Sequence, residues 1–447
     1  AFANQGQLLI DSVYDFDGED RSPAGIAAHS RPGTAAFGVR PARFVRITQP
    51  VPIPDPEVIE IPRFAYGVSS AFGFREITGY VPVEPDGSVT VTVPADRAFT
   101  LGVLDSNGRR IGPRHDYWLQ LAPGEVLHCS GCHDPSSSAP HGRLDAQPPS
   151  ANPGARPLDS GDTGFPGTDS GTLFATEPGQ TMAATWDFHQ PADNPAAAAR
   201  QLSLAPQYRD EWSAAGLTPD EPILDREYDP AWTDIAGDRP LVVANLDPGE
   251  PSRIVINYED HIQPIWERER AAVADTAGNL VSTCVGCHHS AGDTAVPQGQ
   301  LDLTATASDL DPDHYRSYRE LLDTDNEQWL DGSGALADRV RLCTITDAEG
   351  NAVTTGETLV VSPRMRAGSA NGSTGFFACF EGGECGPAPP PALPDNCVEG
   401  DGIAVPGTRN TVAHTGMLSA AELRLLSEWL DIGAQYFNNP FDPRLVD

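Results

Sequence analysis

Lysine is missing altogether from the 447 residues: all 29 positive side chains are arginine, set against 63 acidic ones, for a net charge of −34. A surface this acidic repels nucleic acid and anionic lipid, which are held by positive faces that displace their counterions. Neither is expected as a partner; a basic redox protein suits it better. The preference for arginine over lysine follows as readily from a GC-rich genome or a saline habitat as from function. No apolar run approaches the roughly 18–20 residues that cross a bilayer, so no span is expected. The opening AFANQGQLLI has neither the basic start nor the apolar core of a signal peptide, so an exported form is expected to have shed its signal. Gly-rich phosphate loops, G-x-S-x-G elbows and HExxH helices are also missing.

The eight cysteines carry more information. Cys129-Ser-Gly-Cys132-His133 and Cys284-Val-Gly-Cys287-His288 both read C-x-x-C-H. Two thiols at this spacing reach the two vinyl groups of one haem, and the adjacent histidine then lies beneath the iron. A zinc knuckle built from the two CxxC pairs would leave both paired histidines unexplained. Two c-type haems are therefore expected, with His133 and His288 as proximal ligands. Haem attachment to CxxCH takes place outside the cytoplasm, which predicts a periplasmic or extracellular protein. The remaining Cys343, Cys379, Cys385 and Cys397 fit two disulfides in an oxidising compartment, with three pairings open.

The far side of each iron decides between electron transfer and binding of small molecules. For the second haem, His414 is the expected distal ligand, five residues before Ser419 in the loop that leads into the last helix; Met417 is the alternate. For the first haem the expectation is His261, in Asp260-His-Ile-Gln-Pro-Ile-Trp266, with His115 and His189 as alternates. His141 is a further candidate; His128 adjoins Cys129 too closely to cross the haem plane, and His289 reads as an exposed side chain. The acidic runs Asp15-Phe-Asp17-Gly-Glu-Asp20 and Asp323-Thr-Asp325-Asn-Glu327 offer oxygen ligands for calcium but do not complete an EF-hand, and read better as solvated loops.

Period-two alternation over Ala42-Arg-Phe-Val-Arg-Ile-Thr48, Gly79-Tyr-Val-Pro-Val83 and Ser88-Val-Thr-Val-Thr-Val93 predicts antiparallel strands, with turns at Pro85-Asp86-Gly87 and Asp105-Ser-Asn-Gly108. From Pro135 to about Gly179 the composition suggests an irregular wrap. Helical signals dominate later. Asp311-Pro312 opens one segment, carrying Tyr315, Tyr318, Leu321 and Leu322. Ser419 and Glu422 form a capping box before the stripe Leu423, Leu426, Trp429 and Leu430, which stops near Gly433. The expected fold class is α+β. A β-rich, sandwich-like domain over 1–245 bears the first haem. A mainly helical cytochrome c-like domain over 246–447 bears the second, with a disulfide-linked insertion over about 344–413.

The run from Gly79-Tyr-Val-Pro-Val83 through Asp86-Gly-Ser-Val-Thr90, Leu104-Asp-Ser-Asn-Gly108 and Pro123-Gly-Glu125 to the first CxxCH resembles the middle domain of the hydrazine synthase alpha subunit family and its cytochrome relatives. His261 through Trp266, the second CxxCH, Ser317 through Leu322 and His414 through Phe437 resemble the cytochrome c-like domain that follows it. The resemblance implies two haems in two domains. In that family the catalytic haem is expected to use a tyrosine just beyond its motif, whereas residues 134–140 contain none. Shared architecture is therefore implied, and shared reaction is not. The leading expectation is an electron-transferring di-haem cytochrome, working between partners or along an oligomer or filament of copies. The alternatives are a haem enzyme with one open iron acting on a small nitrogen species or peroxide, and a cytochrome subunit of a larger oxidoreductase.

Overall fold

The computed structural model describes residues 4–68, 70–134, 136–137, 148–157, 164–169, 173–189, 201–217, 223–225, 240–244, 252–274, 278, 280–292, 294–383, 385, 397–399 and 414–445. The fold is α+β with sheet the larger share, and the chain divides into two compact units. One comprises residues 1–52, 75–234 and 240–255; the other comprises 53–74, 235–239 and 256–447.

The first unit is built on two sheets. In the three-stranded sheet Gln5–Ile10 lies between antiparallel Val89–Pro94 and parallel Val126–Cys129. In the five-stranded sheet Phe44–Pro50 and Arg75–Pro82 pair antiparallel at the centre, flanked by Thr100–Leu104 on one side and the short strands Arg253–Ile254 and Val242–Val243 on the other. Alternate residues of these strands supply the core: Leu8, Ile10, Val45, Ile47, Val81, Val89, Val91 and Val93 are buried together. Thr90 and Thr92 are buried as well. The helix Met182–Phe188 is tied to that strand's leading turn, its Met182 amide donating to Asp86 at 2.9 Å and its Ala183 amide to Ser88 Oγ at 2.8 Å. Asp86 is thus a buried hub rather than a turn tip, and burial raises its pKa. The described part of the expected wrap is also ordered: Ala155, Phe165, Leu173 and Ala175 pack with Met182 and Trp212 into a second small core.

The second unit is centred on aromatic side chains. Tyr258, Trp266, Tyr318, Trp429 and Tyr436 are all essentially buried, with Tyr258 contacting Tyr318, Trp429 and Tyr436 ring to ring. A wide turn over Tyr258–Ile262, capped by Asn257, runs into the helix Gln263–Glu267. The last helix spans Ala420–Asp431 behind a complete capping box, and Gly433 at φ 121° ends it, where a Cβ would meet Phe72 at 2.7 Å. The segment expected from Asp311 becomes helical only at Arg316–Leu322. An extended bridge between Ala307 and Tyr315 holds the preceding residues out of the helix. The insertion is a hairpin, Val340–Thr346 with Ala352–Thr358, joined by a third strand, Cys397–Glu399. Cys343 and Cys397 lie opposite each other in that sheet and are disulfide-bonded. Cys379 and Cys385 are not bonded to each other; they make separate polar contacts, with Gly375 O and His414 Nδ1, so the structure holds one of the two expected bridges. Among the described residues no helix is long and apolar enough to cross a membrane.

Candidate functional site

Each C-x-x-C-H motif sits in its own unit. The first begins at the end of the strand Val126–Cys129, where strand alternation turns His128 away from Cys129; His128 Nε2 instead lies 2.7 Å from Asp11. An acidic loop clasps the rest of the motif. Asp15 O accepts from the Cys132 amide at 2.7 Å, and the Asp17 amide donates to Cys132 O at 3.2 Å. A Cβ on Gly131 would stand 2.5 Å from Asp15 O, so only glycine lets the two segments approach this closely.

The loop's main product is a carboxylate beneath His133. Asp17 Oδ1 lies 2.8 Å from His133 Nδ1, and its other oxygen accepts from the Asp134 amide at 3.0 Å. Burial works to raise the Asp17 pKa, but hydrogen bonds from His133, Asp134 and Ser137 outweigh it and hold the carboxyl below its ordinary range. Asp17 reaches this position through a left-handed backbone, φ 56°, followed by Gly18. Asp15 meanwhile accepts from Gly18 and Ala151 amides, and Asp20 from Ser22 and Ile26. The run that offered calcium ligands therefore uses its oxygens on backbone amides and on His133. Asp17 is the functional residue that sequence reasoning missed; its signal was the Asp-Gly turn, read as a solvated loop. Burial pushes the Cys129 thiol up to about 11, with a smaller contribution from Asp11, and burial pushes Cys132 up to about 12, with Cys129 and Asp15 adding to it.

The second motif opens with a single 3-10 turn, Cys284–Gly286, capped by Thr283, whose hydroxyl accepts from Gly286 at 3.1 Å. His288 is held on both sides of its backbone: its amide donates to Cys284 O at 3.0 Å, and its carbonyl accepts from Leu303 at 2.9 Å. Nδ1 of His288 is 2.7 Å from Gln298 O, the contact an Nδ1–H donor makes with a carbonyl. Burial, followed by the charge of His414, pushes His288 down to about 4, so it is the neutral imidazole that ligands require.

The structure brings His414 to His288. Their ring centres are 6.1 Å apart with the planes 46° from parallel, and Phe380 stands edge-on to His414 at 5.8 Å. A metal–imidazole bond is about 2 Å and a ring nitrogen lies about 1 Å from its ring centre, so two imidazoles sharing one iron have centres roughly 6 Å apart. The second motif therefore fits a haem with histidine on both faces. Cys385 Sγ lies 3.5 Å from His414 Nδ1. Met417 is in the same turn, its amide donating to His414 O at 3.0 Å and its carbonyl accepting from Arg270 at 2.9 Å.

The first motif has a looser set of candidates. His115 is in the same unit, Nδ1 lying 2.7 Å from Tyr117 O; burial lowers its pKa, and His133 is near enough for its charge to add to that. His189 is exposed with Nε2 2.7 Å from Phe174 O. His261 is 3% exposed in the core of the second unit, where Nδ1 accepts from the Asn257 amide at 2.9 Å. His289 Nδ1 accepts from Ala291 at 3.0 Å. His141 lies outside the described residues. In the other acidic run, Asp323 pairs with Arg319 at 2.8 Å and Glu327 with Arg339, again using carboxylates inside the fold.

Residues 63–134, which end one residue past the first C-x-x-C-H, match the hydrazine synthase alpha subunit middle domain family. No curated protein matches the chain. Among solved structures, the hydrazine synthase of Kuenenia stuttgartiensis is similar at 17% identity and a TM-score of 0.45 over 98% of this chain. This chain spans 44% of the length of that one. Residues 63–134 are thus similar to the middle domain of the hydrazine synthase alpha subunit family.

Proposed function

We propose that the chain is an exported di-haem c-type cytochrome that passes electrons between redox partners or along an assembly of its own copies, in the periplasm or outside the cell. The observation that carries this reading is shared by both motifs. Each histidine of C-x-x-C-H has its Nδ1 on an acceptor, the Asp17 carboxylate for His133 and the Gln298 carbonyl for His288, which presents Nε2 as the ligating nitrogen. A haem bound at each motif supplies one-electron chemistry. Cys129, Cys132, Cys284 and Cys287 would hold the two porphyrins by thioether bonds. His414 would close the second iron, and its fixed position limits reorganisation when the charge changes. For the first iron, His115 has the charge interaction with His133 in its favour. An acidic, lysine-free surface favours redox partners with basic faces.

The test is covalent attachment. Extraction with acidified acetone should leave two haems per polypeptide, and replacing Cys129 and Cys132 with alanine should leave one. Loss of all pigment to the solvent sinks the proposal. A second reading, an enzyme with an open first iron, is favoured by the exposure of His133, whose side chain is 41% accessible while the half-buried His288 stands against His414. Electron paramagnetic resonance separates the two. Low-spin, cyanide-inert iron at both sites supports the carrier, and a high-spin first iron that binds cyanide or nitric oxide supports the enzyme.

A further inference from the structure

Arg270 lies between the short helix Gln263–Glu267 and the second attachment motif, and its guanidinium reaches four separate pieces of the second unit. One terminal nitrogen donates to Glu422 at 2.6 Å and to Ile265 O at 2.7 Å; the other donates to Glu422 at 3.1 Å and to Met417 O at 2.9 Å. Cys284, the first cysteine of the second motif, is close enough to feel its charge. Glu422 is 1% exposed and is itself the second half of the capping box, accepting from the Ser419 amide at 2.6 Å.

A buried ion pair that merely caps a helix would account for the bond to Glu422. It does not account for the bond to Met417 O, which holds the main chain of the loop three residues beyond His414. Nor does it account for the proximity of Cys284, which belongs to the opposite side of the iron. The planar fork of arginine is what makes these bonds simultaneous; an ammonium would have to choose among them. We propose that Arg270 is a positioning residue that sets the His414 loop against the Cys284–His288 motif, so that distal ligation of the second haem depends on it. This rests on the di-haem reading above.

The test uses the full-length, haem-loaded protein with Arg270→Gln and Arg270→Lys. Arg270→Gln should shift the second haem from low-spin to a high-spin fraction and raise its cyanide affinity at least tenfold, with two haems retained and the first haem's signal unchanged. Arg270→Lys should restore part of the low-spin signal. Since Arg270→Gln strands a buried Glu422 charge and can prevent folding, Arg270→Gln with Glu422→Gln removes both charges and should give the same high-spin fraction. A folded variant with two haems and the parent's spectrum overturns the assignment while leaving the di-haem reading intact. Absence of covalent haem from the parent protein overturns both.

Discussion

Replacing Asp17 with asparagine isolates the charge beneath His133. Asparagine keeps an oxygen for His133 and tolerates the left-handed backbone that Asp17 adopts at φ 56°. Its amide nitrogen cannot accept from the Asp134 amide as the second carboxylate oxygen does, so that bond is lost along with the negative charge, 2.8 Å from Nδ1. A hydrogen bond to a charged group contributes about 1.5–3 kcal/mol, and a carboxylate on the proximal imidazole stabilises the more positive, oxidised iron. His133 is 41% exposed, so water screens the interaction and the lower end applies. A loss of about 1.4 kcal/mol from the oxidised state alone is tenfold in the redox equilibrium, or about 60 mV for one electron. Asp17→Asn should therefore raise the potential of the first haem by about 60 mV and leave the second unmoved. Spectroelectrochemical titration reads both haems in one experiment. An unchanged first potential, or an equal shift in both, would show that Asp17 does not act through His133.

Three further outcomes follow from the second unit. His414→Ala should turn the second haem high-spin and cyanide-reactive, and His414→Met should keep it low-spin at a higher potential because thioether sulfur favours the reduced iron; a low-spin second haem in His414→Ala would place the distal ligand elsewhere. The Cys343–Cys397 bridge spans 54 residues, so breaking it should cost at most about 4 kcal/mol by loop closure, seen as a lower denaturant midpoint in Cys343→Ser with Cys397→Ser; an unchanged midpoint would show that the insertion unfolds independently. Glu320 is pushed up to about 8, by burial first and then by Asp325 and Asp302, against the Asp302 amide and Arg316. Its folded pKa exceeds its unfolded one, so the folded state binds the extra proton and stability falls as pH rises from about 4.5 through 8. Glu320→Gln should flatten that decline in denaturant titrations, and a slope equal to the parent's would put the proton elsewhere.

The parts of the fold written in local chemistry were legible from the chain. The valines of 89–93, the capping box at Ser419 and Glu422, and the halt at Gly433 each follow from period, cap or backbone preference, and each is where it was expected. His414, in the loop before the last helix, stands 6.1 Å from His288, ring centre to ring centre. What could not be read depends on long-range partners. Asp17 meets His133 across a separation of 116 residues, and Arg270 meets Glu422 across 152. No local pattern distinguishes a carboxylate that will find such a partner from one that stays in water. The late start of the helix at Arg316 has the same origin, since the bridge from Ala307 to Tyr315 overrides an adequate Asp-Pro start.

The two proximal acceptors also imply a direction. His133 rests on a carboxylate and His288 on a peptide carbonyl, so a haem iron held by the first imidazole would be stabilised more strongly in its oxidised form. Two arginines act on the second motif: Arg270 lowers the Cys284 pKa by its charge, and the Arg364 guanidinium is close enough to depress His288. A positive charge disfavours the oxidised iron, although Glu422 offsets much of Arg270's share. If both motifs carry haem as proposed, the first should have the lower potential, and electrons entering there would run downhill to the second. Asp17→Asn should narrow the gap from one side. A titration of the parent protein in which the second haem reduces at the lower potential would reverse the direction and would require that the distal ligands, not the proximal acceptors, set the order.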